Sequence, residues 1–352
     1  MRLLTHTVTP QEAGLPVRTL LRRQLRISGS FLAKLKWRPG AITLNGVPVI
    51  VSARTEAGDV LAADVSDLPG ENPHIRPVAY PLDILWEDED LLLLNKPAGI
   101  AIHPSALTEE TVTVAGAVCH YLRTGSFHCV NRLDRGTTGV MAVAKTGYIH
   151  RLCMESLHTD SFLREYRGIC LGAPQPPSGA IDLPISRDPG SLLRRTVDPM
   201  GLPARTLYET LLPGELSLLR LLPQTGRTHQ LRLHLSAVGH PLAGDWLYGT
   251  EDPALIPRPA LHSYRLRLLH PVTSPPRCRR ICAACSRRTA IPHKSCPACI
   301  AGGAAFSHQP SADGPYSIIC RAKRCAFSRI PGRRTRLPRS LAVSSRQNRG
   351  GR

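Results

Sequence analysis

The order of apolar and polar residues near the start of the chain predicts a small unit of two helices and several strands. Leu20, Leu21 and Leu25 are spaced as on one face of a helix, and Ser28 is placed to cap a second short helix. The stretch AITLNG ends in an Asn-Gly hairpin signal, and GDVLAADV predicts a closing strand. We expect these elements to pack into one unit.

A longer pattern follows a Pro-rich linker. ILWEDEDLLLLNK predicts two strands joined by an acidic turn, LREYRGICLG a strand, and ARTLYETLL with LSLLRLLP a hairpin. Helices are predicted from Thr111 to Leu122, in GYIHRLCMESLHTDS, and in TGRTHQLRLHLSAVG, which starts at Arg227 and stops at Gly239. Neighbouring strands outnumber helices, so we predict an α+β fold with a mainly antiparallel mixed sheet.

Changes in composition divide the chain into four parts. We expect a small α/β domain over residues 14–66, a linker over residues 67–81 and a large domain over residues 82–274. Residues 275–352 make a basic tail rich in Cys, Pro and Arg, which we expect to be unstructured or translated out of frame.

The formal net charge of +19 lies almost entirely in this tail. Residues 275–352 hold 17 Lys and Arg and one acidic residue, so the rest of the chain is nearly neutral. A strongly basic total usually indicates a nucleic-acid partner. Here the total alone does not establish one, and an RNA-binding surface has to be identified locally.

Cysteine usage and hydropathy indicate the compartment. Seven of the 11 cysteines lie in the tail, and the four scattered over the rest of the chain fit free thiols in a reducing cytosol. The N-terminus lacks the apolar core of a signal peptide, and no run reaches the ~18 apolar residues of a membrane span. We predict a cytoplasmic protein with no membrane partner, and we expect a monomer because no obligate protein partner is implied.

Basic side chains in the two short helices avoid the apolar positions and would share one face. Such a face suits RNA backbone, although a run of charges is by itself typical of a solvated helix surface. The candidate RNA-binding residues on it are Arg22, Arg23, Arg26, Lys34 and Lys36.

The stretch VNRLDRGTTGVMAVAKT carries the strongest candidate for chemistry. Asp134 lies between Arg132 and Arg135, directly before a turn of small residues and a buried strand. Cationic neighbours favour a charged carboxylate, which suits a nucleophile or a group that stabilises a developing sugar cation. A structural Asp–Arg pair at a turn explains the motif equally well.

Other segments are ambiguous when each is taken alone. Tyr166, in LREYRG, has apolar neighbours and is typical of a core tyrosine. Arg227, in GRTHQLRLHL, is an exposed residue at a predicted helix start, and GHPLAGDWLYG is a turn-rich loop.

Together and in this order these segments resemble the RluA family of RNA pseudouridine synthases. The matching pieces are ILWEDEDLLLLNKPAGIAIHPS, NRLDRGTTGVMAVAKT, REYRGICLG, GLPARTLYETLL, GRTHQLRLHLSAVGHPLAGDWLYG and LHSYRLRLLHPVT. The N-terminal pattern resembles the S4 RNA-binding domain, and the whole resemblance covers residues 14–273. It implies an enzyme that flips a uridine out of RNA, breaks its glycosidic bond and rejoins the base through C5, with neither metal nor cofactor.

The resemblance also implies a role for each matching residue. Asp134 matches the catalytic aspartate, and Arg132 the arginine that enters the RNA stack as the base leaves. Tyr166 matches the tyrosine stacked beneath the flipped base, and Arg227 the arginine that pairs with the aspartate. Asn131 departs from the family, because many members have His there. We expect activity to survive this change, and its effect on substrate preference is left open.

Two alternatives remain open for the function. An S4-like module beside a decayed synthase domain would make a non-catalytic RNA-binding protein, although the joint presence of Asp134, Tyr166 and Arg227 argues against decay. The substrate is the second open point. Members with an S4 domain act on large-subunit ribosomal RNA more often than on transfer RNA, so ribosomal RNA is expected.

Two alternatives also remain open for the tail. The paired motifs CAAC and CPAC have the spacing of a zinc ribbon, but few large apolar residues nearby would build its core. The second hypothesis is a frameshift, because the resemblance stops abruptly at LHPVTS. Cys codons begin with TG, and a frame that starts one base earlier reads Leu, Met or Val there. Resequencing the gene tests the frameshift, which early stops in the alternative frame would exclude. Zinc bound by the purified, folded tail would also exclude it.

Overall fold

The computed structural model of the chain describes residues 1–67, 72, 74–105, 111–157, 159, 161–270 and 317–321, the last of these for the backbone alone. The first 67 residues are called the N-terminal unit below. Its elements are β1 (Leu3–Thr7), a 3₁₀ turn (Pro10–Glu12), α1 (Val17–Arg23), α2 (Gly29–Leu35), β2 (Ile42–Leu44), β3 (Val47–Pro48) and β4 (Val60–Asp64).

The N-terminal unit contains the predicted helices and hairpin and one strand that was not predicted. The Ser28 side chain accepts a hydrogen bond from the Phe31 amide and caps α2. Asn45 and Gly46 both have positive φ, the backbone that a two-residue hairpin between β2 and β3 requires. The extra strand is β1, which pairs with β4 and makes a four-stranded sheet in the order β1-β4-β2-β3.

The rest of the chain forms one large sheet with helices packed on it. In chain order its elements are β5 (Ile84–Glu87), β6 (Leu91–Lys96), α3 (Val114–Leu122), β7 (His128–Cys129), β8 (Thr138–Ala144), α4 (Gly147–Ser156), β9 (Leu163–Leu171), β10 (Ser178–Asp182), β11 (Ile185–Arg187), β12 (Arg195–Val197), β13 (Arg205–Leu212), β14 (Leu216–Pro223), α5 (Gln230–Ala237), β15 (Leu261–Leu269) and β16 (Ser317–Arg321). None of the described helices is long and apolar enough to cross a bilayer.

The large sheet confirms the predicted α+β fold with mainly antiparallel strands. Its order is β10-β13-β14-β9-β15-β8-β6-β5, with β16 beside β15 and β7 beside β8. The parallel pair is β15 with β8, and Gly139 on β8 lies so close to it that a Cβ would be 2.1 Å from the Ser263 carbonyl oxygen. This contact joins the two halves of the sheet beside the loop that carries Asp134.

Two helices on the large sheet start at side-chain caps that the sequence contains, and the last helix does not. The side chains of Thr113 and Thr146 accept hydrogen bonds from backbone amides and begin α3 and α4. The start of the last helix was predicted at Arg227 and is wrong, because α5 begins at Gln230. His229, the residue before Gln230, has a left-handed backbone conformation (φ 57°), so the helix cannot extend back through it.

The N-terminal unit packs directly on the large sheet and its helix α4. The Tyr148 hydroxyl donates to the Leu25 carbonyl (2.6 Å), and Arg2 makes a two-point ion pair with the buried Asp90 (2.7 and 2.9 Å). Apolar residues of α1 and α2 share one hydrophobic cluster with those of β6, β8 and α4. Removal of the N-terminal unit would therefore expose part of the core.

The expected unstructured tail is wrong for five residues. β16 pairs with Arg265–Leu269 of β15, beyond the two residues (His262 and Ser263) at which β15 pairs with β8. The CAAC and CPAC motifs and the start of the tail lie outside the described residues. The zinc and reading-frame hypotheses therefore stay predictions.

Candidate active site

The loop between β7 and β8 carries Asp134 and is tied to the sheet by a buried amide. The Asn131 side chain is 4% exposed; its oxygen accepts from the Ala142 amide (2.7 Å) and its nitrogen donates to the Val140 carbonyl (3.3 Å). Asn131 therefore contacts backbone of β8. A histidine at this position would have to replace those two bonds.

A buried lysine fixes the turn that follows Asp134. Lys96 is 2% exposed, and its ammonium group donates to the carbonyls of Pro97 (2.8 Å), Arg135 (3.1 Å) and Thr137 (3.0 Å). The Thr137 amide in turn donates to the Asp134 carbonyl (3.0 Å). A buried ammonium group has lost its hydrating water and needs hydrogen-bond acceptors in its place. The three carbonyls supply them, so Lys96 and the turn hold each other in place. The sequence signal was a lysine that ends an otherwise apolar strand.

Four residues predicted to form the site line one cleft. Arg132, Asp134, Tyr166 and Arg227 meet around a volume of about 360 Å³. The cleft lies between the β7–β8 loop, strand β9 and the loop between β14 and α5. Three distant parts of the sequence thus form a single concave surface of the kind that binds small groups.

The cation that faces Asp134 is Arg232, a residue that the sequence analysis did not select. One Arg232 guanidinium nitrogen, Nη1, lies 3.7 Å from the Asp134 carboxylate. The other two donors bind Asp245 at two points (2.7 and 2.8 Å). Asp245 is fully buried and Arg232 is 6% exposed, whereas the Asp134 side chain is 26% exposed. A rigid, desolvated pair therefore supports a carboxylate that a substrate can reach.

The predicted pairing of Arg227 with Asp134 is wrong in this structure. Arg227 Nε donates to the Pro203 carbonyl (3.1 Å), and among the described residues its side chain has no ion pair. Arg227 precedes α5, whereas Arg232 lies in its first turn. Helical side chains tilt towards the helix N-terminus, which directs Arg232 to the cleft. The missed signal was this second arginine in GRTHQLRLHL.

Tyr166 forms one wall of the cleft with little exposed surface. It is 6% exposed, and burial raises the pKa of its phenol; Arg164 opposes that shift and Asp134 adds to it. Arg164 lies on the same side of β9 and donates to the carbonyls of Thr225 (3.2 Å) and Pro223 (3.4 Å), which positions the loop before α5. Burial also raises the pKa of the Cys129 thiol to about 12, so this cleft residue is a neutral thiol near pH 7.

His229 adds a second residue that the sequence analysis missed. It lines the cleft in its left-handed conformation, and its Nδ1 lies 3.0 Å from the Tyr248 hydroxyl. That hydroxyl accepts from the Arg195 amide (2.8 Å). Burial lowers the pKa of His229, which favours the neutral ring. Strained backbone conformations of this kind concentrate at functional sites.

The candidate RNA-binding residues of α1 and α2 lie outside this cleft. Arg22, Arg23, Lys34 and Lys36 are exposed, and among the described residues none of them makes an ion pair. Arg26 differs, because its guanidinium binds Glu155 of α4 (2.6 Å). The structure therefore leaves four of the five predicted cations available to an external anion.

Buried neutral histidines should make the protein less stable in mildly acidic buffer. Burial lowers the pKa of His262 to about 4, and it also lowers the pKa of His234. The unfolded chain binds protons at a pKa near 6.5 that the folded protein does not bind, so stability is complete above about pH 6.5 and falls towards pH 4.

For His262 the expected loss is roughly 2 kcal/mol by about pH 5. Urea unfolding at about pH 7.5 and about pH 5 measures it, with His262→Gln as the comparison. If the wild type and His262→Gln lose the same free energy between the two pH values, His262 is not responsible.

Comparisons with known proteins find a family model, related sequences and a solved structure that are similar to this chain. Residues 90–237 match the family model described as RNA pseudouridylate synthase. The RNA pseudouridine synthase YjbO of Bacillus subtilis is 37% identical over 255 residues, covering 71% of this chain and 89% of that protein. Ribosomal large subunit pseudouridine synthase D of Escherichia coli K12 is 38% identical over 257 residues, covering 67% and 73%. The solved structure of Human RNA Pseudouridylate Synthase Domain Containing 1 has 26% identity and a TM-score of 0.45, and covers 55% and 81%.

Proposed function

Since this chain belongs to the RNA pseudouridylate synthase family and is therefore an isomerase, we propose that it converts a specific uridine of structured RNA, in large-subunit ribosomal RNA, to pseudouridine. One observation carries the proposal: Asp134 faces the buried Arg232–Asp245 pair in a cleft that also holds Arg132 and Tyr166. That arrangement offers a fixed, accessible carboxylate to a reacting sugar carbon.

Asp134 is the group that we assign to the chemical step. The bond between N1 and C1′ of the uridine breaks, and its electron pair leaves with the base. The positive charge that develops at C1′ is stabilised or trapped by the Asp134 carboxylate. The base turns, C5 bonds to C1′, the proton on C5 is lost to solvent and N1 takes up a proton. Atoms and charge balance without any further reactant.

Arg132 and Tyr166 are the residues that we assign to the flipped base. A uridine in folded RNA has to leave its stack before C1′ can be reached. The exposed Arg132 guanidinium can occupy the vacated position, because its planar group stacks on neighbouring bases. Tyr166 offers a ring in the cleft wall for the extruded uracil. Arg227, on the cleft rim, is available to an RNA phosphate.

The substrate class rests on the relatives and on the N-terminal unit. Several similar proteins are named ribosomal large subunit pseudouridine synthase D, which favours ribosomal RNA over transfer RNA. A ribosomal substrate also favours a cytoplasmic location. The test is tritium release from RNA labelled at uridine C5, with ribosomal and transfer RNA as separate substrates. Release from transfer RNA alone would overturn the ribosomal choice, and binding without release from either would favour the non-catalytic alternative.

We assign the N-terminal unit to RNA binding, with residues 14–66 as an S4-like domain, residues 67–81 as the linker and residues 82–274 as the catalytic domain. The support is the exposed cationic face of α1 and α2, whose four side chains make no ion pair with a described residue and can therefore neutralise RNA phosphates. The segment between the two helices is bonded to α4 through Leu25 and Arg26, so this face is held at a fixed position relative to the cleft.

Neutralising this face should weaken RNA binding in a salt-dependent way. A plot of log affinity against log salt has a negative slope, and each lost phosphate contact reduces the magnitude of that slope by about 0.7–0.9. Replacing the four exposed cations should therefore reduce it by roughly 3. The variant is Arg22→Ala/Arg23→Ala/Lys34→Ala/Lys36→Ala, which leaves the core intact where deletion of the unit would not. Filter binding at several salt concentrations measures the slope.

Arg26→Gln is the internal comparison for that variant. Because Glu155 already neutralises Arg26, Arg26→Gln should change the salt slope less than the replacement of any one exposed cation does. An unchanged slope in the fourfold variant would show that the four cations are merely solvated.

A further inference from the structure

An exposed tryptophan lies at the end of α2, beside the cationic face. Trp37 is 79% exposed, and the neighbouring Ile50 and Val47 are 73% and 63% exposed. Behind Trp37 runs a groove of about 360 Å³, whose walls include Pro39, Pro48 and Ile50. Contiguous exposed apolar surface is a feature of interaction sites, and tryptophan is enriched among the residues that contribute most to binding.

The two charged residues that line the groove are basic: Lys36, and Arg38, which is paired with Asp64 (2.6 Å). The Lys36 ammonium group lies 5.0 Å from the Trp37 ring centroid, and Lys34 projects from the same helix. None of the residues that line the groove is acidic. An apolar surface with a one-sided rim of cations fits a ligand that combines a flat ring with a negative charge.

We propose that the Trp37 groove binds an unpaired nucleotide of the RNA substrate, with the base stacked on the indole and the adjoining phosphate on Lys34 and Lys36. Stacking of bases on aromatic side chains and contacts to phosphate are the two terms that bind single-stranded RNA. Lysine is depleted at protein–protein interfaces, which argues against a protein in the groove. The proposal deepens the proposed RNA-binding role of the N-terminal unit and rests on it.

The groove has a fixed position relative to the catalytic cleft. The residues between α1 and α2 are held to α4 by the Tyr148–Leu25 hydrogen bond and by the Arg26–Glu155 ion pair. α4 in turn contributes Met154 to the wall of the catalytic cleft. An RNA bound at both places would therefore present its target uridine at a set distance from an unpaired segment.

Three substitutions of Trp37 in the full chain test the proposal. Trp37→Ala and Trp37→Leu remove the ring, and Trp37→Phe keeps a smaller one. The probe is a stem–loop with a single-stranded flank, compared with the same RNA after a complementary strand has been annealed to the flank. Ring removal should raise Kd for the unpaired flank about tenfold, with a smaller effect in Trp37→Phe and little effect on the annealed RNA.

Several results would overturn the proposal. They are an unchanged Kd in Trp37→Leu, an equal loss on the annealed RNA, or a wild-type dimer that Trp37→Ala converts to a monomer in sedimentation velocity. The fourfold charge variant separates this failure from that of the proposed function. If it lowers the salt slope while the Trp37 variants do nothing, the nucleotide groove alone is wrong; if neither acts, the N-terminal unit does not bind RNA.

Discussion

Asp134→Asn should fold, bind RNA and form no measurable pseudouridine. Asparagine keeps the shape of the side chain but carries no negative charge, so it can neither trap nor stabilise the sugar cation. The expected loss of rate is about 10⁴-fold or more, the range seen when a catalytic nucleophile is removed. Tritium release under single-turnover conditions measures it.

The fold should survive this change because Asp134 supports little of the structure. Arg232 keeps its two-point ion pair with Asp245, and the turn keeps its hydrogen bonds to Lys96. Equal unfolding midpoints for Asp134→Asn and the wild type would confirm intact folding. Turnover near the wild-type rate in a folded variant would show that another group performs the chemistry.

Local patterns were enough to predict most of the fold. The hairpin of β13 and β14 follows from strand-like runs separated by a short turn, and the cap Ser28 is visible as a residue type. Strands such as β11 and β12 were missed because they have three residues each and little apolar pattern. Strand β1 was missed for a related reason, since its partner β4 is more than 50 residues away.

The resemblance selected residues of the site, but the long-range contacts decided how they pair. Nothing in GRTHQLRLHL distinguishes Arg227 from Arg232 until the left-handed His229 delays the helix start. Arg232 then lies in the first turn of α5 and meets Asp245, which sequence analysis had placed in a plain loop. Lys96 was missed in the same way, because its three acceptors are main-chain carbonyls that no side-chain pattern reveals.

Arg232→Ala should therefore have a far larger effect than Arg227→Ala. Its removal leaves Asp245 buried without a cation, which costs about 3–5 kcal/mol of unfolding free energy. It also takes away the only ion pair that Asp134 makes with a described residue. Arg227→Ala removes one exposed hydrogen bond to Pro203, and we expect a change in stability below about 1 kcal/mol.

At Arg232, a loss of folding stability can be separated from a loss of catalysis. The second variant also removes the charge of Asp245, which Arg232→Ala leaves unpaired. Arg232→Met/Asp245→Asn removes both charges of the buried pair, and the side-chain oxygen at position 245 can still accept from the Leu247 and Tyr248 amides. This variant should recover much of the lost stability, since buried ion pairs exchanged as a unit are often neutral. Its turnover should stay low, because Asp134 still lacks its cation. Urea unfolding and single-turnover tritium release on both variants make the test. If the double variant regains both the wild-type rate and the wild-type stability, Arg232 contributes to the fold alone. If Arg227→Ala loses as much rate as Arg232→Ala, the pairing of Asp134 changes when RNA binds.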